Sequence, residues 1–232
     1  VGAAVIRGFK ELIAQECDIS MAMAGDAQCD PDYIPALLAP VIQDLCDCAK
    51  ANRFLHRQQL KQMPRFRFLG NILLSIVTKF SSGYYSIFDP QNGYSAIKTS
   101  VLKRVDLDNI APRYDFENSY WFHLNLVNAR LVDIPVPAIY GEETSTIKLR
   151  QFTLRTSWTL VKTFWQRLFY KYLFPGFHPI GLFFISGSLL CLLGLLVGVW
   201  VAIGTIGPAV ATTGSVMLSL LPLLTGFHLL LT

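Results

Sequence analysis

The sequence predicts a polar α/β region joined to two membrane-spanning helices. Before about residue 148, short apolar runs alternate with segments of helical period, which is typical of a sheet with helices on its faces. From Pro179 to Thr232 there is no Asp, Glu, Lys or Arg. The whole chain is 52% hydrophobic and only 16% charged, against about 25% charged in an average soluble domain. We therefore divide the chain into 1–148, 149–178 and 179–232.

Both ends of the chain indicate part of a longer protein. Val1 opens a segment that already has helical character, with no signal peptide before it, and the last residues stop inside an apolar run. The five cysteines show no zinc-type spacing, and their odd number favours a reducing compartment. We expect ordinary packing roles for all of them.

The first half of the polar region reads as helix, strand, helix and strand. Residues 3–16 have helical period, and Ile19–Met23 is a short apolar run that predicts a buried strand. Asp30 is expected to cap a helix at Tyr33–Asp47 that has Pro31 in its first turn. The segment Cys48–Arg53 then predicts the end of a second strand.

The second half continues the alternation with longer connections. It is predicted to contain, in order, a mobile basic loop at 55–66, a helix at Gly70–Ser81, a turn-rich segment at Gly83–Tyr94, a helix at Phe116–Asn128, a strand at Leu131–Val136 and a polar loop at Tyr140–Lys148. Ligands of such α/β sheets bind beyond the carboxyl ends of the strands. Asp26 directly follows a predicted strand and is therefore placed where chemistry is expected.

Residues 149–178 predict amphipathic helices beside the membrane. From Lys148 to Lys171 every charged residue is basic, and aromatic residues such as Trp158 and Trp165 stand between the charges. A basic, aromatic helix is typical of the membrane interface. A soluble helix packed on the sheet is the alternative.

Two apolar segments, about 180–203 and 208–232, each exceed the roughly 20 residues that cross a bilayer. The short connection between them predicts an antiparallel hairpin, in which Gly187, Gly194 and Gly198 would permit close contact between the helices. The basic flank predicts that the polar region lies on the cytoplasmic side of a multi-pass cell-membrane protein. A transporter or channel is disfavoured because the spans carry no charged residue.

The carboxylates and cations of the polar region suit a nucleotide-sugar site. The leaving diphosphate of such a donor is strongly anionic, and a divalent metal held by Asp oxygens would neutralise it. The segment AGDAQCDPDYIPALLAPV resembles the metal-binding segment of family 2 glycosyltransferases, where the pattern is close to Asp-x-Asp-x-Gln-x-Asp-Pro. It is most similar to the polyprenyl-phosphate sugar transferases related to dolichol-phosphate mannose synthase.

Further segments resemble the same family in the same order over about residues 1–150. They are Lys50-Ala51-Asn52-Arg53 at a strand end, Arg67 with Gly70-Asn71 after the acceptor loop, the turn Asp89–Tyr94, Tyr114-x-Phe116-Glu117, the strand Val132–Val136, and Ser145-x-x-Lys148. The ordered set is more specific than any single motif. The resemblance implies a GT-A-like, Rossmann-type sheet whose amino-terminal part, with the base-binding residues, would precede Val1.

The resemblance also implies roles for particular residues. Asp89, Glu117 and Gln28 would be catalytic, and Asp26 would hold Mg²⁺ or Mn²⁺. The phosphates of the donor and the acceptor would be bound by Arg53, Arg67, Ser145 and Lys148. The expected partners are a nucleotide sugar, a polyprenyl phosphate (undecaprenyl or dolichyl) and the bilayer, with a homo-oligomer permitted and no nucleic acid.

One departure from the family pattern leaves a second function open. Ala24 stands where the first Asp of the Asp-x-Asp pair is expected, so an inactive membrane scaffold of the same fold is the alternative to an enzyme. Several candidate residues also have structural explanations. Asp30 and Asp89 suit a cap and a turn, Glu117 suits the first turn of a helix, and the cations suit a solvated surface.

Overall fold

The computed structural model describes residues 1–55, 65–137, 149–174, 176, 178–206 and 210–231, with the backbone alone at 65–68 and 149–152. These residues form two compact units, Val1–Arg167 and Leu168–Thr232. The loop predicted at Tyr140–Lys148 lies outside the described residues. So does most of the loop predicted at 55–66, of which Arg65 and Phe66 belong to a helix.

The described residues of the first unit form six helices and four strands. Its helices are α1 (Gly2–Ala14), α2 (Ile34–Ile42), α3 (Arg65–Ser82), α4 (Thr99–Leu102), α5 (Phe116–Leu126) and α6 (Leu149–Arg167), and its strands are β1 (Ile19–Ala22), β2 (Cys48–Asn52), β3 (Ser95–Lys98) and β4 (Leu131–Pro135). Short 3₁₀ turns at Pro31–Tyr33, Arg53–Leu55 and Leu107–Asn109 join some of them. The predicted alternation of helices and strands is confirmed, and β3 is an element that the sequence pattern did not predict.

The four strands form one mixed sheet in the order β1–β3–β2–β4. β2 and β4 are parallel, with Lys50 opposite Asp133, and β3 runs antiparallel to both β1 and β2. The mixed sheet therefore brings the ends of β1, β2 and β4 and the start of β3 to one edge.

Helices cover both faces of the sheet, as predicted. On one face, Phe9 of α1 and Trp121 of α5 pack against Cys48 and Ile97. On the other face, Leu37 of α2 packs against alanines of β2 and β3. Successive residues of a strand point to opposite faces, which explains why neighbours in β2 and β3 belong to different core layers.

The prediction that the second helix runs to Asp47 is wrong. Asp30 does cap the turn Pro31–Tyr33, because its side chain accepts a hydrogen bond from the Asp32 amide at 3.0 Å. α2 then ends at Ile42, after the internal Pro40. Asp44 adopts a left-handed conformation (φ 57°), and its carboxylate pairs with Lys98 and Arg130. Ion pairs at the end of the sheet where β3 stops and β4 begins thus stand where the last helical turn was predicted.

α6 is part of the first unit and packs on α3 and α5. It buries Thr156, Leu160 and Thr163 while exposing Leu154 and Trp158. The placement of 149–178 at the membrane interface stays a prediction.

The second unit is a helical hairpin. A short π-helix (Leu168–Leu173) precedes α7 (Pro179–Gly204) and α8 (Thr213–Leu231), which are long and apolar enough to cross a membrane. The first span agrees with prediction, and the second begins five residues later than predicted, after positions 207–209, which are outside the described residues. α7 and α8 pack antiparallel, because Gly187 lies against Gly226 and Gly194 against Ser219.

Candidate active site

The candidate site lies at the sheet edge where the parallel strands end. β1 ends at Ala22, β2 at Asn52 and β4 at Pro135. The segment before β3 joins them there, because the Ala51 amide donates to the Tyr94 carbonyl at 2.8 Å. Tyr94 Oη also donates to the Asp30 carbonyl at 3.1 Å. This link ties the Asp89–Tyr94 turn to the Asp26–Asp30 segment.

Asp89 and Arg53 form a bidentate ion pair at this edge. Arg53 Nη2 donates to Asp89 Oδ1 at 2.6 Å, and Nε and the backbone amide donate to Oδ2 at 2.7 and 3.2 Å. Asp89 is only 1% exposed and has a left-handed backbone (φ 53°). Burial alone would raise the pKa of Asp89, but the hydrogen bonds and charge of Arg53 and the charge of Lys50 hold it below the ordinary value. The structure thus joins two residues that the sequence assigned to separate roles.

Lys50 supports the Asp89 turn from inside the protein and has no solvent exposure. Its Nζ donates to the carbonyls of Phe88 and Asp89 at 2.6 and 3.0 Å. It also lies 3.2 Å from Asp133 Oδ1. Asp133 in turn accepts from Asn52 Nδ2 at 2.7 Å and from the Phe88 amide. A buried cation therefore fixes the backbone from which the Asp89 carboxylate projects.

The structural roles of Lys50 and Asp133 were not predicted from the sequence. The available signal was an opposite charge on each of two strands that are otherwise apolar or small. Lys50 and Asp133 hold paired positions in the parallel strands β2 and β4, and their charged atoms lie 3.2 Å apart. Finding the pair required the register between β2 and β4, which the pattern of residues does not give.

α5 holds the other side of the turn. Trp121 Nε1 donates to the Pro90 carbonyl at 2.8 Å, and Gln91 Nε2 donates to Asn118 Oδ1 at 3.1 Å. A Cβ atom added at Gly93 would lie 3.6 Å from Glu117 Oε1. Glu117 therefore faces the same turn as Asp89.

Glu117 is the carboxyl group with a strongly raised pKa in the candidate site. Burial raises its pKa to about 7, and the charge of Asp115 adds to the effect, although a backbone hydrogen bond opposes it. A carboxyl group with this pKa is partly protonated near neutral pH. It can therefore donate as well as accept a hydrogen bond with a sugar hydroxyl.

Asp26 and Gln28 lie on the loop after β1. Asp26 is exposed, its Oδ1 accepts from the Gln28 amide at 3.1 Å, and Ala27 between them is left-handed (φ 58°). Gln28 is partly buried. Burial raises the pKa of the neighbouring Cys29, and the charge of Arg53 opposes that rise.

The residues present are compatible with a weakly held divalent metal. No group of three His, Cys, Asp or Glu side chains converges within the described part of the chain. Mg²⁺ commonly takes only one or two carboxylates and completes its shell with substrate phosphates and water. The exposed carboxylate of Asp26 fits that arrangement.

Three predicted phosphate-binding residues cannot be placed by their side chains. Arg67 lies in α3 where the backbone alone is described, and Ser145 and Lys148 are outside the described residues. Their roles stay predictions.

The fold and the site together define a class of protein. A mixed sheet covered by helices, with carboxylates at the strand ends and two apolar helices after it, fits an α/β glycosyltransferase with a carboxyl-terminal hairpin. No protein-family profile matches the chain.

Curated relatives make the class specific. Over 142 residues, 61% of this chain, it is 30% identical to the UDP-N-acetylglucosamine–dolichyl-phosphate N-acetylglucosaminyltransferase of Methanococcus voltae, covering 56% of that protein. It is 24% identical over 143 residues to the undecaprenyl-phosphate mannosyltransferase of Micrococcus luteus, with 61% of this chain and 58% of that protein covered. The chain thus spans a little over half the length of these relatives. They confirm the resemblance to polyprenyl-phosphate sugar transferases that the ordered motifs predict.

Proposed function

We propose that this protein is a membrane-bound glycosyltransferase that moves a hexose-type sugar from a nucleotide donor to polyprenyl phosphate. The observation that carries the proposal is the meeting of Arg53, Asp89 and Glu117 at the sheet edge, in the order of the family motifs. The names of the two characterised relatives, one acting on dolichyl and one on undecaprenyl phosphate, support this acceptor class.

The proposed reaction is a single displacement with inversion at the sugar. A phosphate oxygen of the lipid forms a bond to the anomeric carbon, while the bond from that carbon to the nucleoside diphosphate breaks and its electron pair leaves with the diphosphate. The nucleophile is already an anion at neutral pH, so no strong general base is required. The protein's main tasks are to position two anionic substrates and offset their repulsion.

The residues at the edge suit these tasks. Asp89 and Glu117 would accept hydrogen bonds from sugar hydroxyls, and Gln28 would bind the donor or the acceptor phosphate. Arg53 would add positive charge beside them, with Arg67, Ser145 and Lys148 assigned to the phosphates by the resemblance. Mg²⁺ or Mn²⁺ held by Asp26 would supply charge neutralisation at the diphosphate.

The membrane location follows from the acceptor. Polyprenyl phosphate has its chain in the bilayer and its phosphate at the surface, so the site must work at that surface. We assign α7 and α8 to an anchor crossing the cell membrane and the polar unit to the cytoplasmic face, because basic residues precede the first span.

A transfer assay tests the proposal. Full-length protein in membranes is incubated with radiolabelled UDP- and GDP-sugars, Mg²⁺ or Mn²⁺, and undecaprenyl or dolichyl phosphate, and the organic-solvent extract is counted. We expect lipid-linked sugar with one donor, and a loss of at least about tenfold in Asp89→Asn because an oriented charge is removed. Asp108→Asn, at an exposed site paired with Lys10, is the control that should keep activity.

The alternative is an inactive scaffold of the same fold, which Ala24 favours. The same assay decides between the two functions. No lipid-linked sugar with any donor would favour the scaffold, and full activity in Asp26→Ala would remove the proposed metal role.

A further inference from the structure

Asn118 is a fully buried amide at the point where α3, α5 and the Asp89 turn meet. Its side chain has no solvent exposure, and it directly follows Glu117 in the first turn of α5. Its Oδ1 atom accepts two hydrogen bonds, from Thr78 Oγ1 of α3 at 2.9 Å and from Gln91 Nε2 at 3.1 Å. One oxygen atom thus joins the core of the unit to the turn that carries Asp89.

Packing alone does not explain why an amide occupies this position. Asn118 Nδ2 is buried and has no hydrogen-bond partner within the part of the chain that the structure describes. A buried polar group without a partner lowers stability, whereas a leucine of similar size would fill the same space. The side chain therefore suits a task that needs its Oδ1 acceptor. Of the two donors to that atom, Thr78 is buried and Gln91 is half-buried at the edge of the sheet.

Backbone contacts on both sides hold Gln91 in place. Trp121 Nε1 donates to the carbonyl of Pro90 at 2.8 Å. The Asn92 amide donates to the Asp89 carbonyl at 3.1 Å and closes the turn. The Gln91 side chain is therefore anchored both at its backbone and at its amide group. Restraint of this kind lowers the entropy that a contact with a ligand would lose.

Gln91 lies between the two carboxylates that the proposed function assigns to the sugar. Asp89 stands two residues before it on the same turn. Gly93 stands two residues after it, and a Cβ atom added there would lie 3.6 Å from Glu117 Oε1. The residue that holds the Gln91 amide, Asn118, is the neighbour of Glu117 in α5. The amide therefore belongs to the same part of the sheet edge as both carboxylates.

An amide supplies a contact that two carboxylates do not. Gln91 Nε2 keeps a second N–H after it donates to Asn118, and Gln91 Oε1 has no partner among the residues that the structure describes. One amide can thus donate to one sugar hydroxyl and accept from another, or pair with an acetamido group. It also carries no charge that would repel the diphosphate of the donor.

We propose that Gln91 is a further sugar-contacting residue that contributes to the choice of donor, and that Asn118 is its positioning residue. The inference rests on the proposed function, because the sugar belongs to the donor of the transfer reaction. A site that forms hydrogen bonds with a substrate group rejects analogues lacking that group, because its own polar atoms are then left unpaired. Gln91 therefore distinguishes sugars by the hydroxyl or acetamido group that they place beside Asp89 and Glu117.

Donor binding, measured apart from transfer, tests the proposal. Isothermal titration of the full-length protein in detergent with Mg²⁺ gives dissociation constants for UDP-N-acetylglucosamine and UDP, and for GDP-mannose and GDP. The ratio of the constants for a sugar nucleotide and its diphosphate isolates the contribution of the sugar. We expect Gln91→Leu to reduce that contribution about three- to tenfold, the range of one neutral hydrogen bond, and to leave diphosphate binding unchanged.

Two further variants separate positioning from a structural role. Asn118→Leu should reduce the sugar contribution as well, and the double variant should lose no more than Gln91→Leu alone, because both changes act through one hydrogen bond. Thr78→Val is the matched control, since it removes the other donor to Asn118 Oδ1 and leaves Gln91 in place. It should keep the sugar contribution. If Asn118→Leu does not fold, the comparison of Gln91→Leu with Thr78→Val still decides.

The outcomes separate this inference from the proposed function. A sugar contribution unchanged in Gln91→Leu would overturn the contact, and an equal loss in Thr78→Val would overturn the positioning role. Loss of the sugar contribution in Gln91→Leu, in a protein that transfers no sugar, would support the contact while contradicting the proposed transfer. A native protein that binds none of the four ligands would contradict both.

Discussion

A lysine without solvent exposure lies behind the candidate site. Lys50 neutralises Asp133 and ties down the carbonyls of Phe88 and Asp89. Asp89 has a backbone conformation that non-glycine residues rarely adopt, so something must hold it there. We infer that Lys50 provides much of that restraint.

Replacing Lys50 by Met should therefore destabilise the protein strongly. Breaking a buried ion pair by removing one partner costs about 3–5 kcal/mol, because the remaining charge is left unpaired. The melting temperature of the detergent-purified chain measures the loss. Lys103→Met, at an exposed position, should change it little. An equal change of melting temperature in the two variants would show that the contacts of Lys50 add no stability beyond that of an exposed lysine.

Glu117 makes stability depend on pH in a defined direction. Its folded-state pKa of about 7 is raised from 4.5, so the folded state holds a proton that the unfolded state releases earlier. The contribution of the neutral Glu117 carboxyl group to the free energy of unfolding is fully present below pH 4.5, and it is lost as the pH rises through about 7.

Glu117→Gln should thus melt at a higher temperature than the native chain at pH 8, because the amide cannot ionise. The difference should shrink as the pH falls towards 4.5. Melting curves at several pH values measure it. A difference that is constant with pH would contradict the assignment of the raised pKa to Glu117.

At the scale of elements, the hairpin depends on glycines where α7 meets α8, among them Gly187, Gly194 and Gly226. A Cβ atom on Gly226 would lie 2.6 Å from the Cys191 amide nitrogen and 2.6 Å from the Gly187 carbonyl oxygen. Ser219 Oγ also donates to the Gly194 carbonyl at 3.0 Å across the pair. In lipid, the burial of apolar surface does not drive two helices together. They associate instead because their backbones pack closely and because hydrogen bonds form between them.

Gly226→Ala should therefore separate α7 and α8 and destabilise the hairpin by about 1–3 kcal/mol, the usual cost of overpacking. Thermal unfolding in detergent measures the loss. It is followed by tryptophan fluorescence, to which Trp200 of the hairpin contributes, and by circular dichroism. Gly204→Ala is the matched control because no atom lies within 4 Å of its added Cβ. Equal stability of both variants would argue against close packing at Gly226.

Across the whole molecule, sequence patterns predicted the parts that depend on local signals. Most of the helices were predicted from helical period and from the Asp30 cap. The two spans were predicted from the absence of charged residues after Pro179, and the layers from the alternation of helices and strands. β3 escaped because Ser95–Lys98 is only four residues long and acquires its strand geometry from its neighbours. Neither ion pair, Arg53–Asp89 or Lys50–Asp133, was predicted, because each joins residues that are distant in sequence and come together only through the register of the sheet.

The prediction for 149–178 shows the same limit at a larger scale. Composition identified a helix with an apolar, aromatic side, but its partners α3 and α5 lie about 30 to 80 residues earlier in the chain. The exposed apolar residues of α3, such as Leu69, Leu73 and Phe80, could not be assigned to the surface from their helical period, because the same pattern normally marks the side that faces a core.

The exposed apolar residues of α3 and α6 have a practical consequence for producing this protein. A chain shortened after Arg167 loses both spans, yet it keeps exposed apolar residues such as Leu73 and Trp158, so it should aggregate in plain buffer. Adding Leu73→Ser and Trp158→Gln should shift it to the monomer fraction in size-exclusion chromatography. The contact between the two helices should persist, because the buried hydrogen bond between Ser81 and Thr163 is untouched. Solubility would then be governed by two helices of the polar unit, and not by the anchor that is usually removed.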